Sequence, residues 1–463
     1  MKSKSNLWHV CIILCFALFS CSAPMSSLSD LENNAGRGTK ISDWLKQNSI
    51  PIKYIEAGNS FSDLQPLKKT LQDAQVIGLG EATHGTHEFF TIKHRLLEFL
   101  VTEMDFTAFA LESSFSDCEP INDYILTGKG NLATVLTNQK YTAWDTEEFS
   151  AMLDWMRNYN QKVPDEKKVR FYGLDILSLQ KVGREKASVY FQKYVPEKVA
   201  SIDAVFALLA GEEVNWLSRM NQTALQQSFV PLNDLVNYLI DRKDRLVRAS
   251  SLREWEQTHK YLEVIQQSLY SHLKDVPPSF ASKQLDRDEY MWQNLQYIME
   301  RERPNTKFIL WAHNYHVSNL DSLKSLGYFL KQKLGSRYYA LGLECYQGSF
   351  QSRELLPDQS WGDLKVDTIH STPTSINWYF AQIGKPYLFV DLRQASANPI
   401  VSKWLDTPSE FGEGNWSHRS EPNENFEIKT LKGIYDGTFF IQRSTSVHPT
   451  KNALERSKSR IGF

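Results

Sequence analysis

The sequence predicts an α/β protein with a mostly parallel central sheet flanked by helices, and a helical insertion that forms a lid or one wall of a cleft. Three observations carry this. Short apolar runs without alternation recur along the chain, as expected of strands buried on both faces. Segments with helical periodicity separate many of them, the pattern of a parallel sheet covered on both sides. One long interval has only helical patterning.

The elements follow in chain order. Lys2 and Lys4 precede an apolar run from Leu7 to Phe19, interrupted only by His9. That run is shorter than the about 20 residues needed to span a membrane, and residues 1–21 read as a signal peptide. The sequence Leu18-Phe19-Ser20-Cys21 is similar to a lipobox, although Phe19 is larger than the residue usual there. Cys21 is therefore the expected lipidation site of a periplasm-facing envelope lipoprotein. An ordinary secretory signal with an incidental cysteine, giving a secreted or periplasmic protein, is the alternative. Residues 22–40 are rich in Ser, Asn and Gly and read as a flexible tether. The folded domain is expected over 41–449, with a tail at 450–463.

Apolar runs at 74–79, 106–111, 169–174, 308–312, 339–343, 387–390 and 437–441 are the expected strands. Helical patterns at 87–103 and 146–159 lie between them. The insertion occupies about 185–299, with helices expected over 200–220, 224–249 and 251–273.

Composition narrows the function. The net charge is −2 over 463 residues, with 41% hydrophobic and 23% charged. Nothing favours a nucleic-acid partner, and the only membrane contact expected is the lipid anchor. After Cys11 and Cys15 leave with the signal, Cys118 and Cys345 remain besides Cys21. Two cysteines do not make a disulfide framework, and whether they pair is left open. There is no Gly-x-Ser-x-Gly elbow and no Walker loop.

Most predicted strands end in a polar residue: Glu81, Glu112, Asp175, His313, Glu344 and Asp391. In an open parallel sheet these ends share one edge, where ligands bind. Glu81 and His84 form the densest local signal. Gly78 and Gly80 allow a tight exit from the strand, and Gly85 allows the turn into the next helix. A carboxylate three residues before an imidazole can orient it, and histidine is suited to general-base work. The competing reading is a loop histidine bonded to a backbone carbonyl. His87 and Glu88 have spacings from His84 that would serve a metal if the segment were helical; Glu88 reads better as a first-turn acid. Lys93 is either a cation reaching back to the cleft or a solvated helix residue. Glu112 follows buried apolar residues and so needs a partner or a function. His313 is the better-placed histidine of its segment, and His316 is a second base or a capping residue. Arg287 is flanked by acids, as on a surface ion-pair helix. Trp144 and Tyr141 line a pocket or belong to the core.

Gly80-Glu81-Ala82-Thr83-His84-Gly85, with Glu88 and Lys93, resembles the erythromycin esterase family. The likeness continues in order through Leu111-Glu112-Ser113, then Asn122, Tyr124 and Gly128, then Trp155-Met156-Arg157 with Tyr159-Asn160. Tyr172-Gly173-Leu174-Asp175, Arg287-Asp288 with Met291, Trp311-Ala312-His313-Asn314 and Tyr435-Asp436-Gly437 complete it. It spans residues 41–449. The resemblance implies an α/β hydrolase with helical additions that cleaves the lactone ester of macrolide antibiotics without a serine nucleophile, conferring resistance. Other members are named after succinoglycan biosynthesis. It implies His84 as the base that activates water, with Glu81 and Glu112 holding the histidines and the water. His313, His316 and Arg287 would polarise the carbonyl. His316, Lys93, Trp144 and Asp175 are the expected substrate-binding residues. The expected partner is a small-molecule macrolide or related ester, and no cofactor is expected. One alternative is a divalent metal held by Glu81, His84, Glu112 and His313 in a hydrolase of another envelope ester; another is a non-enzymatic envelope binding protein.

Overall fold

The computed structural model describes residues 28–138, 141–210, 220–276, 285–319, 321–322, 324–357, 361–373, 375–412 and 426–458. The leader, Cys21 and residues 22–27 lie outside the described residues.

Eleven strands are described: β1 (Ser49–Pro51), β2 (Val76–Leu79), β3 (Phe106–Ser114), β4 (Arg170–Asp175), β5 (Lys307–Trp311), β6 (Tyr338–Leu355), β7 (Trp361–His370), β8 (Tyr387–Asp391), β9 (Ser409–Gly412), β10 (Phe426–Lys429) and β11 (Gly437–Ser444). The main sheet has the order β1-β8-β11-β6-β2-β5-β3-β4, with β7 paired to β6. Its six central strands, β11 to β4 in that order, are mutually parallel. β8 is antiparallel to β11, and β9 and β10 form a separate hairpin.

Alternation along each strand divides the core. Ile77, Leu79, Phe109, Leu111, Ile309 and Trp311 pack on one face with the helices His87–Met104 and Glu147–Asn160. Val76, Ala108, Ala110, Phe308 and Leu310 pack on the other face with the helices Arg287–Arg301 and Leu326–Leu334. A third cluster fills the helical insertion, from Ile176 to Tyr290. Burial on both faces explains why these strands are apolar throughout.

Some expectations need correction. Residues 28–40, read as tether, belong to a helix, Leu28–Asn48, whose later residues Ile41, Trp44 and Leu45 join the core. The tail also folds: helix Lys451–Lys458 is anchored by Arg456, bonded to the buried Asp145. Asp391 leaves the shared edge because β8 runs against β11. The 224–249 pattern splits into Gln222–Asp241 and Lys243–Ala249. The β6–β7 hairpin extends beyond the sheet with polar, alternating residues, so no apolar run announces it. Cys118 and Cys345 are free, buried thiols. No helix among the described residues is long and apolar enough to cross a membrane.

Candidate active site

Register brings the strand ends together. Leu341, Leu79, Trp311, Leu111 and Gly173 lie in one row across β6, β2, β5, β3 and β4. Just past that row the chain reaches Glu81 and His84 after β2, His313 and His316 after β5, Glu112 on β3, and Asp175 at the end of β4. A bulge between Leu111 and Ser114 disturbs the β3–β4 register beside Glu112. Bulges re-aim side chains in this way near active sites.

The glycines of the motif serve close approach; none of Gly78, Gly80 and Gly85 has positive φ. A Cβ on Gly80 would strike Asn314, and one on Gly85 would strike the Gln351 backbone. The Gly85 carbonyl accepts from Gln351 N (2.8 Å) and Val447 N (3.0 Å). Asn314 N donates to the Glu81 carbonyl at 2.8 Å, tying the two histidine-bearing loops together.

His84 Nδ1 lies 2.7 Å from Glu81 Oε1. The other oxygen of Glu81 accepts from Lys93 Nζ (2.7 Å) and Trp311 Nε1 (2.9 Å). Glu81 and Lys93 are both fully buried. Lys93 is therefore neither a solvated residue nor a substrate contact: it sits behind Glu81 and over the Trp311 ring, 4.3 Å from its centroid. Burial pulls its ammonium down to about 8, against the opposing pull of Glu81. Trp144 is likewise inside the core rather than lining an open pocket. It packs edge-on to His84 with centroids 5.5 Å apart, and its Nε1 donates to the Glu112 carbonyl. The His84 side chain remains 16% exposed.

His313 faces His84, with ring centroids 5.2 Å apart. Its Nδ1 accepts from Tyr315 N at 3.2 Å, so the proton of the neutral ring is on Nε2, which lies 3.3 Å from the Ala82 carbonyl. Burial, reinforced by His84, keeps His313 well below the usual histidine range, and the ring is neutral.

Glu112 Oε2 accepts from His313 N (2.8 Å) and Oε1 from Arg287 Nη2 (2.8 Å); His316 Nε2 lies 3.1 Å from Oε1 and 3.2 Å from Arg287 Nη1. Burial opposes its ionisation, but His316 and Arg287 outweigh burial and hold the carboxyl well below the usual range. Arg287 also bonds both oxygens of Asp175. It is thus a three-carboxylate-oxygen clamp between the insertion and the sheet, not a surface ion-pair residue. His316 Nδ1 lies 2.9 Å from each oxygen of Asp288. Burial disfavours its charge, yet Asp288 and Glu112 push it up to about 10. Nδ1 sits between the Asp288 oxygens and Nε2 lies near both Glu112 and Arg287; the two carboxylates favour the charged ring over a second base. Asp175, fully buried, holds Arg287 and makes no surface for a substrate. A polar hollow lined by Asp286, Arg287, Asp288, Tyr315, His316 and Ser322 opens beside this network.

Asp288, Trp311 and the Ala82 carbonyl are site groups the sequence reading left out. Asp288 follows Arg287 in a helix first turn, where an acid is expected for the dipole alone; only its adjacency to Arg287 marked it. His87 does not join His84. It turns instead to Glu148 (2.6 Å), while Glu88 accepts from Thr445 N and Oγ1.

A model of the erythromycin esterase family matches residues 101–444. This chain belongs to the erythromycin esterase family. Among its relatives, the Erythromycin esterase type II of Escherichia coli is 24% identical over 67% of this chain and 78% of its own. YbfO of Bacillus subtilis (strain 168), provisionally named a hydrolase, is 23% identical over 96% of this chain and 98% of its own. A crystal structure of a Bacillus cereus protein superposes with a TM-score of 0.76 at 27% identity, over 89% of this chain and 99% of that one. The family is one of ester hydrolases, and the α/β sheet with flanking helices is the fold of this erythromycin esterase family member.

Proposed function

We propose that this protein hydrolyses the lactone ester of a macrolide-type substrate with water activated by His84, and that it thereby confers antibiotic resistance. The observation that supports this most directly is the partly exposed His84, held by the buried Glu81 and facing a neutral His313. The Glu81 carboxylate accepts a hydrogen bond from His84 Nδ1–H, which keeps the proton there and leaves Nε2 as the basic lone pair. Water attacks the carbonyl carbon and gives its proton to Nε2. The resulting oxyanion is met by His313 Nε2–H, which gives up its 3.3 Å contact with the Ala82 carbonyl. Pre-organised donors of this kind favour the tetrahedral state. When the C–O bond breaks, the imidazolium of His84 returns the proton to the leaving alkoxide. Arg287, His316 and Glu112 position His313 through its backbone N–H. We also propose that the protein works in the cell envelope, held there by a lipid on Cys21.

Erythromycin incubated with the purified protein should yield a product heavier by one water. His84→Ala should lower kcat by about 10²–10⁴-fold, the usual contribution of a general base, with an unchanged circular dichroism spectrum. Lack of turnover across a macrolide panel would sink the substrate assignment. A metal-dependent version of the site fits its donor set poorly, since Glu81 and Glu112 are already engaged by Lys93, Trp311, Arg287, His316 and His313 N. Turnover should therefore persist in chelator.

A further inference from the structure

We propose that His87, Glu148 and His448 form a divalent-cation site of the zinc type, separate from the hydrolytic site, that fastens the His84 loop to the chain beyond β11. Ligand atoms of all three residues lie within 4.8 Å of one another. The two Nδ1 atoms converge on a single oxygen, Glu148 Oε1, at 2.6 Å and 2.7 Å. Zinc binds imidazole nitrogen and carboxylate oxygen at roughly 2.0–2.2 Å, so inserting an ion needs only a small spreading of these atoms. Two imidazoles and one carboxylate form a three-ligand set that leaves a position open. The His448 side chain is 63% exposed, which gives an ion its way in and leaves that position to water.

The ligands come from three segments, each already fixed by backbone bonds. His87 N donates to the Thr445 carbonyl (2.9 Å), and Glu147 N donates to the His448 carbonyl (2.8 Å). Thr86 bridges Ser446, and Thr146 bridges Pro449. His448 N also donates to Glu148, at 3.1 Å and 3.2 Å. Ligands held this way need little ordering when an ion binds. An imidazole–carboxylate donor set selects a borderline ion such as Zn²⁺ or Co²⁺ over Mg²⁺ or Ca²⁺.

Titration of the metal-free protein with Co²⁺ should give visible d–d absorption that saturates at one equivalent, and Zn²⁺ should displace it. His448→Ala, at an exposed position, should weaken Co²⁺ binding by about tenfold or more, the least expected when even an outer-shell partner is lost. Glu148→Gln should do the same. His84→Ala should leave the titration unchanged. No saturable absorption, equal binding by His448→Ala, or loss of the signal in His84→Ala instead would overturn the site. Because binding is read spectroscopically, the outcome does not depend on the substrate.

Discussion

Lys93 shows how one residue's role follows from its burial. A fully buried ammonium is costly, and it persists here because Glu81 needs a counter-charge while it orients His84. Lys93→Met should therefore leave a carboxylate buried beside Trp311 without its cation and destabilise the protein by about 3–5 kcal/mol. In urea unfolding, Glu81→Gln combined with Lys93→Met should regain much of that loss but not activity. A double variant no more stable than Lys93→Met would disprove the pairing. His316 carries the opposite shift. An unfolded histidine titrates near ~6.5, but Asp288 and Glu112 push the folded one up to about 10. The native state keeps a proton that the unfolded chain has released between those values. The stabilisation is thus whole below pH ~6.5 and drains as pH rises towards 10. The stability gap between wild type and His316→Gln should shrink across that window; a flat gap would contradict the charge assignment. Sequence could offer His316 only as a base or a cap, because its state is set by Asp288 and Glu112, far away along the chain.

At the level of elements, the strands were legible because burial on both faces leaves unbroken apolar runs. The identity of the groups at their shared end was legible for the same topological reason: Glu81, Glu112, Asp175 and His313 do meet. The direction of β8 was not legible, since an apolar run has no sense, and so Asp391 was misplaced. Nor was the bulge in β3, which depends on pairing with β4. The helical insertion reads as amphipathic packing, yet its last helix begins with Arg287 and Asp288, which reach Glu112, Asp175 and His316. This makes the insertion one wall of the site. Arg287→Ala should remove the clamp and leave Asp175 and Glu112 with one fewer cation. We expect a loss of about 3–5 kcal/mol, as for other broken buried pairs, and a matching fall in activity. Greater protease sensitivity of the insertion in this variant, measured by limited digestion, would confirm that the clamp fastens it to the sheet. Unchanged digestion would mean that the insertion's own core fixes its place.

Across the whole molecule, contacts link the site to the C-terminal helix that the sequence offered as a tail. Helix Lys451–Lys458 is far from His84 in sequence but close to it in the chain of contacts. Arg456 Nη2 and Thr450 Oγ1 each lie 2.6 Å from Asp145, whose side chain is 1% exposed. Asp145 directly follows Trp144, the ring packed against His84, and precedes Thr146, which caps helix Glu147–Asn160. Deleting residues 450–463 would strip Asp145 of its charged partner and leave a buried carboxylate at the hinge of this segment. The truncated protein should lose about 3–5 kcal/mol, and its kcat should fall although no residue proposed to act on substrate has been removed. Asp145→Asn in the truncated chain removes the buried charge, so it should restore part of the stability and of kcat together. If truncation left both quantities at their full-length values, the Trp144 wall would be held by its own aromatic packing with Phe90, Phe149 and Trp311. If only stability fell, the terminal helix would brace the fold without reaching His84.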